Sequence, residues 1–204
     1  QLARQLPRFH VLYPQITLEI TTPGPVEAAD EHFDVSILSI GEQPLQGDFI
    51  ARQLASSAFI ICASPAYLAQ HGTPQTPQQL LEHQALLPAV SAVRRELTLY
   101  DHAGQKTNLP LIPALLSSSQ IELLLAACLA GLGIAGLPSF IAEQALNNGA
   151  LVRVLPEWQG TTLNLYAAMP TRKHIPARTR VFVDFLVQTF GGSSADPWLK
   201  ATQR

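Results

Sequence analysis

The chain has 204 residues, of which 47% are hydrophobic and 14% are charged. This balance is typical of a globular protein with one large core or two small ones, and it excludes a disordered chain. The formal net charge of −2 gives no electrostatic reason to expect nucleic-acid binding. Because no apolar run approaches the roughly 20 residues of a membrane span and no signal peptide opens the sequence, no membrane partner is expected.

The first predicted element is an amphipathic helix that ends before Pro14. Its apolar residues recur at the i, i+4, i+7 and i+11 spacing of one helix face: Leu2, Leu6, Phe9 and Tyr13. Because the sequence starts at or inside this helix, we expect the chain to be a piece of a larger protein.

Short strands and helices are predicted to alternate in the next stretch. Residues 16–20 (ITLEI) alternate apolar and polar side chains, which indicates a strand with one buried face. Residues 26–33 (VEAADEHF) predict a short helix, and residues 34–40 and 58–63 are β-rich apolar runs. The alternation predicts a mostly parallel sheet with helices on its faces.

A capped helix follows directly after the strand at 58–63. Ser64 supplies a hydroxyl cap, Pro65 suits the first helical position, and Gly72 is a natural end. A strand that runs into a helix N-terminus exposes backbone N–H groups. The joint is either an anion site or an ordinary strand–helix connection, and the sequence leaves both open.

Residues 119–130 (SQIELLLAACLA) give the clearest helix. Ser119 and Glu122 have the spacing of a capping box. One apolar stripe contains Cys128, which we therefore place in the core, together with Ile121, Leu124, Leu125 and Leu129. The second cysteine, Cys62, also lies in an apolar run, so both are predicted to be free buried thiols in a reducing cytoplasm.

The other predicted elements lie on either side of this helix. In chain order they are a short helix over 76–83, strand-rich residues 85–116 with a turn at 102–105, a strand over 134–138, a helix over 139–149, strands over 150–156 and 162–169, a helix over 179–190, and a frayed tail.

The glycines at 131, 133 and 136 spell G-x-G-x-x-G. The dinucleotide fingerprint needs a strand before these glycines and a helix immediately after them, whereas here a helix precedes them. We interpret Gly131 as the residue that ends the helix, Gly131 and Gly133 as allowing a chain reversal, and Gly136 as permitting close packing. No cofactor is predicted.

The sequence contains no motif of a metal site or a common hydrolase. The six histidines show no metal-ligand spacing, and neither H-E-x-x-H nor G-x-S-x-G occurs. We therefore expect neither a metal ion nor catalysis. Arg172, Lys173, Arg178 and Arg180 either meet a phosphate or carboxylate or form a solvated loop and helix start.

Six segments in order carry a resemblance that covers about residues 1–190. They are LPRFHVLYPQITLEI, HFDVSIL with Gly41 beyond it, FIICASPAYLAQHGTPQTPQQLLEHQAL, AACLAGLGIAGLPSF, GALVRVLPEW and VFVDFLVQTF. Together they resemble the effector-binding, or substrate-binding, domain of LysR-type transcriptional regulators.

The resemblance implies an α/β fold of the type II periplasmic-binding-protein-like class. Two Rossmann-like lobes would be joined by two crossing strands, with a ligand cleft between them. By similarity, lobe I spans 1–63 plus 167–192 and lobe II spans 64–166, while 193–204 would form a flexible tail. The N-terminal winged helix-turn-helix of the family is absent from this sequence, and so are its first strand and the following turn.

The resemblance also implies an effector site. Its lobe I residues would be Thr22, Ser39 and Gly41, and its lobe II residues would be Pro88 (with Ala89 and Val90), Ser117, Ser118 and Ser119. The serines at a helix N-terminus indicate a carboxylate site, and the alternative is that Ser119 is only a helix cap. Relatives often have arginine near Leu38–Ser39, and this chain has none, which weakens the case for an acid held by a salt bridge.

The resulting prediction is a cytoplasmic ligand-sensing and dimerisation domain of a bacterial LysR-type regulator. Its partners would be a small-molecule effector, with a small organic acid as one candidate, and further copies in a homodimer or a dimer of dimers. DNA would be contacted only through the absent N-terminal domain. The alternatives are an extracytoplasmic solute-binding receptor of the same fold and an enzyme on this scaffold. The enzyme would need convergent acid and base groups in the cleft.

Overall fold

The computed structural model describes residues 1–22, 28–41, 43–89, 96–110, 113–170 and 175–201. The chain divides into two units: unit 1 comprises Gln1–Ser57 and Leu163–Pro197, and unit 2 comprises Ala58–Thr162 and Trp198–Arg204. Strands β2 (Phe49–Ala63) and β10 (Thr162–Pro170) each contribute residues to both units.

Unit 1 contains a sheet covered by two helices. β1 (Ser36–Ile40) runs antiparallel to β10, from Ser36 opposite Ala168 to Ile40 opposite Asn164, and β10 lies next to β2. Phe9 is fully buried between the helices, where its ring meets those of Phe182 and Phe185. The other elements of unit 1 are α1 (Leu2–Leu12), β1 (Ser36–Ile40) and α5 (Ala177–Phe190).

The helix predictions at both ends of unit 1 are confirmed, but two predictions between them are wrong. Residues 16–20 form no strand, because a strand needs a ladder partner and the described residues provide none. The apolar residues of the predicted alternation are still the ones that pack inward, since Ile16 and Leu18 contact the core of unit 1. Residues 28–33 are not helical, because the Asp30 carboxylate accepts the His32 N–H (2.9 Å) and forms a turn instead. Residues 26–27 of the predicted helix lie outside the described residues.

Unit 2 contains two sheets. In addition to β2, the strands of unit 2 are β3 (Ala85–Pro88), β4 (Glu96–Asp101), β5 (Lys106–Pro110), β6 (Leu116–Ser118), β7 (Ile134–Pro138), β8 (Val152–Arg153) and β9 (Trp158–Gln159). The larger sheet has the order β2, β7, β3, β6, with β8 also pairing with β2, and the smaller sheet has the order β5, β4, β9. Its helices are α2 (Pro65–His71), a 3-10 helix (Pro77–Glu82), α3 (Ile121–Leu129), α4 (Ser139–Asn147) and α6 (Pro197–Ala201).

The expectation of a mostly parallel sheet is wrong for the pairings whose direction is described. The parallel pairs are β3 with β6 and β3 with β7, whereas the pairs that β1, β2 and β4 make are antiparallel. Parallel pairs require a crossover such as the one that α3 makes between β6 and β7. Because β2 enters unit 2 from unit 1, no such crossover sets its direction against β7.

Local signals correctly predict both ends of α2 in unit 2. The Ser64 hydroxyl accepts the Tyr67 N–H at the start of α2, and Gly72 ends this helix with φ +84°. Cys128 is fully buried in the core beside Cys62, as predicted, and both thiols are free.

The chain reversal after α3 is a Schellman motif. The Gly131 N–H donates to the Cys128 carbonyl (3.0 Å), the Leu132 N–H donates to the Ala127 carbonyl (3.0 Å), and Gly131 has φ +79°. This geometry confirms Gly131 as the residue that ends the helix, because a side chain is disfavoured at that backbone conformation.

The other two glycines of the motif differ from each other. A Cβ on Gly133 would collide with the carbonyl oxygen of Gln84, which also accepts the Ile134 N–H (2.8 Å). A Cβ on Gly136 would meet nothing within 4 Å. The prediction that Gly136 permits close packing is therefore wrong, and Gly133 is the position of close backbone approach.

The C-terminal residues bury a large side chain that their glycine- and serine-rich start does not predict. Trp198 is 6% exposed, and its ring lies 5.6 Å from that of Phe140 in unit 2. In unit 1, the Gly192 N–H donates to the Leu54 carbonyl (2.9 Å). The last three residues of the predicted tail, 202–204, lie outside the described part of the chain.

Candidate functional site

The four predicted site residues of lobe II lie together in unit 2. β3 and β6 are parallel neighbours, with Leu87 opposite Ser117 and Pro88 opposite Ser118. The Ala89 N–H extends this ladder by donating to the Ser118 carbonyl (2.8 Å). The carboxyl ends of two parallel strands thus meet at one edge, where α/β proteins commonly bind ligands. Val90 lies outside the described residues.

Helix α3 begins at this edge, but not with the predicted capping box. Its N-cap is Gln120, which makes no side-chain cap bond. The Ser118 hydroxyl oxygen accepts the Gln120 N–H (3.0 Å) and turns the chain into the helix. The prediction that Ser119 and Glu122 cap α3 is therefore wrong, because Ser118 makes the turn and the helix starts one residue later. Ser119 is exposed beside the helix start.

The first turn of α3 presents positive partial charge at the edge. The first N–H groups of a helix have no partner inside the helix, and of these the Leu123 N–H is satisfied by the Gln120 carbonyl (3.2 Å). Those of Ile121 and Glu122 remain, and the helix dipole favours an anion in front of them. The exposed carboxylate of Glu122 in the same turn reduces this preference.

The predicted lobe I residues lie in unit 1, where only two of them are neighbours. Ser39 is half-buried on β1 opposite Leu165, and Gly41 follows directly after β1. Thr22 is exposed in a segment without helix or strand. Within the described residues, no strand pairing or hydrogen bond joins Thr22 to the other two.

A polar pair next to Ser39 and Gly41 was missed by sequence reasoning. The Ser56 hydroxyl donates to the Asn164 side-chain oxygen (2.7 Å), and Asn164 lies opposite Ile40. Because the oxygen of the Asn164 amide is engaged, its NH₂ group is the part with donors to offer. The available signal was the polar residues Ser56 and Asn164, each of which lies shortly before an apolar run of its strand.

Burial shifts the pKa of three side chains of unit 2, Cys62, Cys128 and His83. Burial raises the pKa of the Cys62 thiol, and burial raises that of Cys128 to about 11. Burial and the neighbouring His71 lower the pKa of His83, although Glu82 opposes them. Both cysteines are therefore protonated at neutral pH, and His83 is held neutral.

His83 belongs to a hydrogen-bonded group that holds α2 against the start of β3. The Gln84 N–H donates to the Tyr67 hydroxyl oxygen (3.0 Å), which leaves the hydroxyl proton to reach Nδ1 of His83 (3.2 Å). The His71 ring stacks on that of Tyr67, with centroids 4.2 Å apart.

Two properties of the described residues concern metal ions and membranes. Among them, no three or more histidine, cysteine, aspartate or glutamate side chains are grouped so as to hold a metal ion. None of the helices described above is long and apolar enough to cross a membrane.

Comparison with known sequences identifies the family. The profile described as the LysR substrate binding domain matches residues 1–191. The chain belongs to this family. The transcriptional regulator CrgA of Neisseria meningitidis serogroup C is 32% identical over 194 residues, which cover 94% of this chain and 63% of CrgA. Three curated relatives, CrgA among them, are HTH-type transcriptional regulators by name, and the chain spans 57 to 63% of their length.

Solved structures give the same result for the fold. The CrgA regulatory domain from Neisseria meningitidis has a TM-score of 0.78 at 31% identity, covering 93% of this chain and 92% of that one. Full-length AphB of Vibrio cholerae, a virulence activator, has a TM-score of 0.78 at 26% identity, covering 93% of this chain and 64% of that one. The predicted type II periplasmic-binding-protein-like class is thereby confirmed, and the relatives favour a regulator over an extracytoplasmic receptor.

Proposed function

We propose that this chain is the effector-sensing and dimerisation domain of a cytoplasmic LysR-type transcriptional regulator, and that its effector is a small organic acid. The observation that carries the choice of an acid is the start of α3 in unit 2. There an uncapped helix N-terminus, the exposed Ser119 and the Ser118 hydroxyl lie at the ends of two parallel strands. Such a group donates hydrogen bonds to a carboxylate without a basic side chain.

The acid would accept hydrogen bonds from the N–H groups of Ile121 and Glu122 and from the hydroxyl of Ser119. Charge-assisted bonds of this kind contribute about 1.5–3 kcal/mol each. The nearby carboxylate of Glu122 opposes a dianion more than a monoanion, because the repulsion scales with the ligand's charge. The proposal therefore favours monocarboxylates.

Ser117 and Pro88 belong to the same edge of unit 2 and are proposed as further contacts. In unit 1, Thr22, Ser39 and Gly41 stay predicted effector residues, and we add the Asn164 amide as a fourth candidate because Asn164 lies opposite Ile40, the residue before Gly41. Neutral donors of this kind suit the polar, uncharged part of an acid, for which no arginine is required.

A thermal-shift screen tests the choice of ligand. Small aliphatic, aromatic and amino acids are compared with their amides, which keep the shape and lose the charge. A ligand at a hundredfold over its Kd should add about 2.7 kcal/mol of stability. Acids that stabilise the chain while their amides do not support the proposal, and equal effects from both would contradict it.

Two variants then locate the site with the acid found in the screen. Ser119→Ala should keep the stability of the unliganded chain, because Ser119 does not cap α3, and should weaken binding about tenfold through the lost hydrogen bond. Glu122→Gln should tighten binding. An unchanged affinity in both variants, measured by calorimetry, would remove the acid from the start of α3.

We also propose that the exposed apolar residues of α1 and the segment after it pair with a second copy. Val11 is 80% exposed, and Leu12 and Ile20 are at least half exposed. These exposed apolar side chains, on α1 and the segment after it, are of the kind found at protein interfaces. Val11→Glu should shift the sedimentation equilibrium toward the monomer, whereas Ile50→Glu, at an exposed site on β2, should not.

In the whole regulator, DNA would be contacted by a domain outside this chain. Binding of the acid would change regulation only as far as it favours one of two conformations over the other. We place the protein in the cytoplasm because Cys62 and Cys128 are free thiols, and because its relatives are named as transcriptional regulators.

A further inference from the structure

Unit 1 has a pocket at the opposite end of its strands from Gly41 and Asn164. It contains about 210 Å³ of empty space, part of which is open solvent. β1 and β10 are antiparallel, with Ser36 opposite Ala168 at the pocket end and Ile40 opposite Asn164 at the other. The pocket is lined by Asp34, Met169, Pro170, Ile175, Pro176 and Thr179. None of the predicted effector residues of unit 1 lines it, and Gly41 follows the other end of β1.

Thr179 lines this pocket with a hydroxyl that lacks a partner. The residue is only 5% exposed, and its Oγ1 is buried without a hydrogen bond among the described residues. A threonine in a helix often donates to the carbonyl four residues earlier, here that of Ile175. That oxygen instead accepts from the Arg180 guanidinium (3.5 Å). Because buried polar groups are nearly always hydrogen-bonded in native proteins, this hydroxyl points to a missing partner.

The pocket also lies at the N-terminus of the longest helix described. α5 has 14 residues, its N-cap is Pro176, and it has neither a side-chain cap nor an acidic residue in its first turn. The N–H groups of Ala177, Arg178 and Thr179 therefore lack partners inside the helix. The Arg180 N–H, by contrast, is satisfied by the Pro176 carbonyl (3.1 Å).

The charges around the pocket select the sign of a ligand. The helix dipole places positive partial charge at the N-terminus of α5. The Arg180 guanidinium adds a full positive charge beside the carbonyl of Ile175, and Arg178 lies exposed on the same turn. Asp34 supplies the only negative charge among the lining residues that the structure describes. The positive charges at the start of α5 therefore favour an anion, and the negative charge of Asp34 lowers its affinity.

We propose that this pocket binds a small oxyanion, such as inorganic phosphate or the carboxylate of a metabolite. The oxygens of the anion accept hydrogen bonds from the first-turn N–H groups of α5 and from Oγ1 of Thr179. Arg178 and Arg180 do not line the pocket, and in this proposal they add positive charge near the anion. Arg172 and Lys173 lie outside the described residues.

The test is a titration of the chain with inorganic phosphate at constant ionic strength, followed by amide chemical shifts and by calorimetry. A parallel titration with acetate distinguishes the two sources of oxyanion. Phosphate, acetate or both should shift the amide signals of Arg178 and Thr179 in a saturable way. Saturable shifts at Ile121 and Glu122 alone would assign the anion to the start of α3 and would overturn this proposal without touching the proposed effector.

A matched pair of variants on the same helix controls for the loss of a hydroxyl. Thr179→Val should weaken binding of the anion about tenfold, as expected for one lost bond to a charged group. Thr189→Val should have no effect, although the Thr189 hydroxyl oxygen is also buried without a partner, because Thr189 does not line the pocket. Asp34→Asn should tighten binding. Equal affinities in the two threonine variants, or no saturable binding to the unaltered chain, would overturn the proposal.

Discussion

Gly133 and Gly136 allow a sharp test of the packing argument, because the same substitution should have opposite effects at the two positions. In Gly133→Ala, the new methyl group collides with the backbone oxygen of Gln84. The two segments must separate, which strains the packing by about 1–3 kcal/mol. The separation also weakens the bond from the Ile134 N–H to that oxygen, a further loss of about 0.5–1.5 kcal/mol. The expected loss of stability is therefore about 1.5–4.5 kcal/mol.

Gly136→Ala is the matched control on the neighbouring strand. Its methyl group meets no atom within 4 Å, and Gly136 does not have positive φ. The substitution should stabilise the chain by about 0.4–1 kcal/mol, because it restricts the unfolded state. Urea denaturation of both variants measures the difference. Equal stabilities of the two variants, or a Gly133→Ala variant as stable as the unaltered chain, would refute the close backbone approach.

Three further predictions concern buried groups of unit 2. Because the pKa of His83 is lowered from 6.5 on folding, the unfolded chain binds more protons, and the free energy of unfolding should fall as the pH drops below about 6.5. His83→Gln should reduce this pH dependence, and an unchanged pH dependence would contradict the assignment to His83. Trp198→Ala should cost about 3–5 kcal/mol in urea denaturation, whereas a frayed tail would give no change. Cys62 and Cys128 should resist alkylation in the native chain and react on unfolding, and rapid labelling of the native chain would contradict their burial.

The features that the sequence predicts well are those fixed by neighbours along the chain. Ser64 and Pro65 start α2, and Gly131 ends α3, because a hydroxyl cap and a left-handed glycine act within one helical turn. The same holds for the turn at 102–105, where the Asp101 carboxylate accepts the N–H groups of Ala103 (2.9 Å) and Gln105 (2.7 Å).

The features that the sequence predicts poorly depend on partners elsewhere in the fold. The period-two pattern of 16–20 describes which side chains pack, but a strand exists only if a neighbour supplies the ladder. Only residues 58–63 of β2 were predicted, although the strand begins at Phe49, because its first part is less apolar. Trp198 follows two glycines and two serines, and its burial depends on Phe140, far away in the chain.

The candidate site shows both kinds of signal. The strand ends that bring Pro88 next to Ser118 follow from the family's order of elements, and the structure places these residues in register. The turn into α3 depends on one hydrogen bond. The S-x-x-E pattern predicted that Ser119 makes it, whereas the Ser118 hydroxyl oxygen accepts it. Three adjacent serines offer three possible caps, and only the length of β6 decides among them.

The most direct test of the proposed function is to follow the amide signals of Ile121 and Glu122 while the chain is titrated with the acid that stabilises it most. The account predicts saturable shifts at both amides, with the same Kd as calorimetry gives and with about tenfold weaker binding in Ser119→Ala. If these two amides do not shift at saturation, the start of α3 does not hold the acid, and the proposed effector site is wrong.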